Sequence, residues 1–117
     1  MSRDYSLYLT DILESSEKVR DYLADFTFEE FSADGKTIDA VVRNLEIIGE
    51  AVKCIPPEML SSQPQIEWKR IRRFRDIIAH YYFKVDLEVV WSITQKDINE
   101  LFAAVSSILA NLEKGEV

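Results

Sequence analysis

The sequence predicts an all-α protein, an antiparallel four-helix bundle with short extra helical turns. Three observations predict it. Apolar residues recur at three- and four-residue spacings along most of the chain, no segment sustains the alternation of a strand, and the only prolines are Pro56, Pro57 and Pro64. A chain of 117 residues with 47% hydrophobic content can bury one core but not two, so residues 1–117 are read as a single domain.

Residues 4–25 carry Tyr5, Tyr8, Leu9, Ile12, Leu13, Val19, Tyr22 and Leu23 at helical spacing, which predicts a first amphipathic helix. Thr27 and Glu30 have the form of a capping box, so a short turn through Phe28 and Phe31 follows, broken by Asp34 and Gly35. Ile38, Val41, Val42, Leu45, Ile48, Val52 and Ile55 predict a second long helix from Thr37, ended by Pro56 and Pro57. The connection at 56–65 has room for one helical turn at Pro57–Leu60. Ile66, Trp68, Ile71, Phe74, Ile77, Ile78 and Tyr81 define a third long helix ending near Phe83. Asp86 is the expected N-cap of a last helix that runs through Val90, Ile93, Ile98, Leu101, Val105 and Ile108 to Gly115.

The chain has 14 basic and 21 acidic residues, a net charge of −7, the opposite of a protein that coats nucleic acid through bulk charge. Residues 66–84 depart from this. Lys69, Arg70, Arg72, Arg73, Arg75 and Lys84 stand there against Glu67 and Asp76, a local surplus of four positive charges that leaves −11 elsewhere. Such a run is either a solvated helix face or an anion-binding surface. Cys54 is the only cysteine, so no disulfide can form within the chain, and with a single histidine besides, a protein-held metal site is not expected. Cys54 itself is read as a small buried residue. No apolar stretch approaches the roughly 20 residues of a membrane span, and no signal-peptide pattern opens the sequence, so the expected location is cytoplasmic.

The single histidine, His80, falls inside the basic segment, five residues after Arg75 and two before Tyr82. Imidazole can take or give a proton near neutrality, while a guanidinium stays charged and offers a planar fork to phosphate oxygens. Asp76 lies four residues before His80, a spacing that lets a carboxylate orient the ring. Lys69, Arg70, Arg72 and Arg73 would add phosphate contacts, and Tyr81, Tyr82 or Phe83 could stack on an unpaired base. Two-step acid–base work at a phosphate needs two proton carriers, and a two-fold axis beside this helix would bring in a second His80. Each residue also has a plainer reading: His80 as a helix C-terminal cap, the aromatics and Trp68 and Trp91 as packing, Glu46 and Glu50 as solvated carboxylates. Glu50 could instead meet the basic helix inside the bundle, as a supporting residue.

The order Arg75-Asp76-Ile77-Ile78-Ala79-His80-Tyr81-Tyr82 resembles the HEPN superfamily signature. Together with RNLEIIGEAVK at 43–53, Trp68, and Val90 with Trp91, the chain is similar to HepT-like minimal HEPN proteins over roughly residues 5–105. The resemblance implies a HEPN-type bundle, a homodimer and a metal-independent endoribonuclease with no cofactor, the toxin of a toxin–antitoxin pair. Arg75 and His80 would be catalytic. The implied antitoxin is an MntA-like nucleotidyltransferase that silences the nuclease by adding AMP to Tyr82. The competing reading is a noncatalytic nucleotide-binding or docking partner of such a transferase.

Overall fold

The computed structural model describes residues 4–78 and 87–115, and every regular element among them is helical. Helix α1 is Ser6–Leu23, α2 is Phe28–Ser32, α3 is Gly35–Lys53 and α4 is Pro57–Leu60. Helix α5 is Trp68–Arg72, followed by the helical residues 74–78 (α6). Helix α7 is Leu87–Ser92, and a π-helical stretch Ile93–Asp97 joins it to α8, Ile98–Glu113. The all-α helical bundle is as expected. His80, Tyr81, Tyr82, Phe83, Lys84 and Asp86, and the roles expected of them, lie outside the described residues.

The buried stripe of α1, Leu9, Ile12, Ser16, Val19 and Leu23, alternates steps of three and four residues and packs on α3 and α8. Val41, Leu45, Ile48 and Val52 of α3 and Ile98, Leu101, Val105 and Ile108 of α8 complete the central core. Burying each such side chain contributes roughly 1.5–3 kcal/mol, so these stripes rather than intrinsic helix propensity hold the bundle together. At the rim, the Arg20 guanidinium of α1 lies 4.8 Å from the Phe102 ring centroid of α8.

The capping box forms as expected: Glu30 N–H donates to Thr27 Oγ1 at 3.1 Å, and Thr27 N–H to Glu30 Oε1 at 2.8 Å. The turn it starts sets Phe28 and Phe31 against Trp91, with ring centroids 6.0 and 5.4 Å away. Trp68 donates from Nε1 to the Gln63 carbonyl at 3.1 Å, so both tryptophans make the packing contacts expected of them.

Three boundaries differ from the sequence expectation. Asp34 and Gly35 begin α3 instead of separating it from α2, because Asp34 accepts from Thr37 N–H at 3.2 Å and Gly35 is the first helical residue. The single helix expected from Ile66 is broken at Arg73, whose φ of −96° and ψ of 9° leave the helical region. Arg73 N–H turns back to the Arg70 carbonyl at 3.1 Å, and the Arg73 carbonyl then accepts from Ile77 N–H at 2.9 Å, starting α6. The last helix carries one π-helical turn, in which Ile98 N–H donates to the Ile93 carbonyl five residues back. Thr94 Oγ1, bonded to the Trp91 carbonyl at 2.6 Å, occupies an acceptor at the start of that turn.

Asp34 also makes the fold's stability pH-dependent. The Thr37 hydroxyl and then the Thr37 N–H hold its carboxyl below the ordinary value. Its contribution is therefore present above about pH 3.9 and is lost as pH falls through the lowered value. Asp34→Asn, which retains an N-cap, is expected to flatten the fall in urea midpoint below about pH 4 while changing it little at pH 7. An unchanged acid profile would remove Asp34 from this role.

Candidate functional site

Gly49 positions the site. A β-carbon at this point of α3 would lie 3.2 Å from the Ile71 carbonyl oxygen, 3.4 Å from Phe74 Cβ and 3.7 Å from the Arg72 carbonyl oxygen. The missing side chain thus lets α3 and the α5–α6 break meet backbone to backbone. Ile71 and Phe74 are buried on either side of the break, which leaves Arg75 and Asp76 facing outward.

The next residue of α3, Glu50, places its Oε1 3.6 Å from Arg75 Nη1, and Lys53 Nζ approaches the same oxygen at 3.5 Å. Glu50 does meet the basic segment, but at the surface and not inside the bundle: the Arg75 side chain is 65% exposed and that of Glu50 51%. A pair so well solvated is worth about 0–1 kcal/mol. Glu50 orients Arg75 without locking it.

Arg75 stands at the edge of an open cleft of about 490 Å³ between α1, α3 and α6. Tyr8 and Asp11 line it from α1, and Arg43, Glu46, Ile47, Glu50 and Ala51 from α3, with Cys54 just beyond. Cys54 is exposed, against expectation. It ends α3 as the C-cap, on the stripe that faces the cleft and not on the stripe that faces the core. Reading the sequence for chemistry missed Tyr8, Asp11 and Arg43. The spacing of Arg43, Glu46, Ile47, Glu50 and Cys54 by threes and fours was the signal that could have found most of this wall.

The other basic residues do not share this cleft. Arg70 donates through Nη2 at 3.1 Å and Nε at 3.3 Å to Asp97 Oδ2, at the end of the π-helical turn. With Arg73, Glu67, Ile77, Ser92 and Lys96 this pair lines a separate depression of about 400 Å³. Lys69 and Asp76 are exposed and Arg72 is half-buried. The break at Arg73 is what divides the run, sending Arg73 and Arg75 to different hollows. Among the described residues, no three His, Cys, Asp or Glu side chains group as a metal site, and no helix is long and apolar enough to cross a membrane.

Comparison with known proteins adds sequence relatives to this geometry. Residues 12–108 match a family described as "Ribonuclease HepT-like". A Methanocaldococcus jannaschii protein named "Putative RNase MJ0127" is 38% identical over 111 residues, 95% of this chain and 92% of that one. A "Probable ribonuclease HepT" of Thermococcus cleftensis is 43% identical over 101 residues, 86% of this chain and 92% of that one. The longer "Gamma-glutamylcyclotransferase and putative RNase MJ0434" of M. jannaschii is 39% identical over 116 residues, which is 99% of this chain and 52% of that one. No solved structure matches the chain.

Proposed function

The chain belongs to the HepT-like ribonuclease family, and from that membership we propose that it is a metal-independent endoribonuclease, working as a single-domain homodimer in the cytoplasm. Arg75 and His80 of two protomers form its centre. The RNA 2′-hydroxyl attacks the adjacent phosphorus, one imidazole takes its proton, and a second protonates the departing 5′-oxygen. The products are a 2′,3′-cyclic phosphate and a 5′-hydroxyl. Arg75 stabilises the charge that builds on the non-bridging oxygens, Asp76 orients His80, and Lys69, Arg72 and Arg73 attract neighbouring phosphates. Arg70, already bonded to Asp97, would act mainly through its field.

The observation that carries this reading is the setting of Arg75. It is exposed at the edge of a cleft and tethered by one solvated carboxylate. A phosphate offering charge-assisted, bidentate hydrogen bonds can displace a contact that weak. Activity is controlled, in this proposal, by an MntA-like nucleotidyltransferase antitoxin that adds AMP to Tyr82. The added phosphate and bulk, seven residues from Arg75, would occupy the place of the RNA phosphate.

The test is incubation of the purified protein with RNA in excess EDTA. Fragments with 2′,3′-cyclic ends are expected, and a gain of one or more AMP groups on Tyr82 is expected by mass spectrometry after coexpression with the transferase. Intact RNA would sink the nuclease, and an unmodified Tyr82 beside an active transferase would sink the control.

A further inference from the structure

Arg43 heads the α3 stripe that lines the cleft, yet the proposed chemistry gives it no task. It is exposed and, unlike Arg75, has no ion pair among the described residues. An unpaired guanidinium inside a cleft of a chain with net charge −7 is an anion site in search of its anion. From the arrangement of this wall we infer that Arg43 is a substrate-positioning residue, holding an RNA phosphate beside the one that is cut. The inference rests on the ribonuclease reading and names how the strand lies in its cleft.

Distance and charge both argue for a neighbouring phosphate and not the scissile one. Arg43 precedes Glu50 by seven residues, two helical turns or about 10 Å along the axis of α3. Arg75 sits beside Glu50, so the two arginines mark opposite ends of one wall. Glu46 lies between them on the same stripe, and Asp11 faces it from α1. These carboxylates repel phosphate from the middle of the cleft, where they can accept hydrogen bonds from base amino and imino groups instead. A strand is thereby held in register, with phosphates at the two arginines and a base between them. A uniformly basic groove would bind more tightly and let the strand slide.

The probe is a fluorescent 2′-O-methyl oligoribonucleotide, which lacks the attacking hydroxyl and so reports binding alone. Its dissociation constant is measured by anisotropy between 50 and 200 mM salt, with cleavage of the unmodified strand followed in parallel. One phosphate contact to a single strand adds about 0.7 to the slope of log affinity against log salt, which is about fivefold in affinity near 0.1 M. Arg43→Ala is expected to lose that slope and that factor, raising KM with kcat little changed, and Arg43→Lys to restore the slope. Lys114→Ala, which removes the same charge at the C-terminal cap of α8, should change neither quantity. The inference is overturned if Arg43→Ala behaves like Lys114→Ala while the wild type binds and cuts RNA. A wild type that does neither overturns the ribonuclease reading, and this inference with it.

Discussion

Arg75→Ala should lower single-turnover RNA cleavage by about 10²- to 10³-fold, the loss that follows removal of one preorganised donor to a developing charge. Its stability should hardly change. The side chain is 65% exposed and its contact with Glu50 is solvated, so the melting midpoint is expected to stay within about 3 °C of wild type. His80→Ala should lose activity to a similar or greater degree. Folded variants that still cut RNA at the wild-type rate would remove both residues from the chemistry. Glu50→Gln separates orientation from catalysis. It frees Arg75 from its tether but leaves the guanidinium in the cleft, so a change much smaller than that of Arg75→Ala is expected.

The largest effect on stability is expected one residue earlier. Phe74 is fully buried, and its Cβ lies against the position a side chain at 49 would occupy. Phe74→Ala removes that packing at the break between α5 and α6, and loss of the buried ring costs about 3–5 kcal/mol. That is a large part of the roughly 5–15 kcal/mol by which a domain is stable. Phe74→Leu retains most of the apolar volume and should cost much less in urea unfolding. Equal midpoints for the two variants would show that the ring is not what secures the break.

What could be read from the sequence was what local chemistry decides. The capping box at Thr27 and Glu30, the prolines ending α3, the turn at Pro57–Leu60 and the stripes of α1 and α3 are short-range signals. The break at Arg73 carries no such mark. No proline or glycine lies there, and Ile71, Phe74 and Ile78 satisfy helical spacing with or without one displaced peptide. The π-helical turn did leave a trace: Ile93 and Ile98 are both fully buried, yet lie five residues apart where an α-helix favours three or four. Of the proposed site, a contact of Glu50 with the basic segment was one of two readings of that residue, but it was expected inside the bundle, whereas Glu50 meets Arg75 at the surface. The bond from Arg70 to Asp97 spans 27 residues, and no periodicity encodes a contact of that range. Cys54 was misassigned because an apolar context was taken as burial, whereas its place on the wrong side of α3 decides its exposure.

The meeting of main chains at Gly49 separates scaffold from reagent. Where two segments are seated by their skeletons, the groups around the seam, Glu46, Glu50 and Arg75 among them, can be exchanged without moving the seam itself. A new base preference, or a new reaction, could be installed on this wall by altering side chains alone, so long as the one position that must stay bare is left untouched.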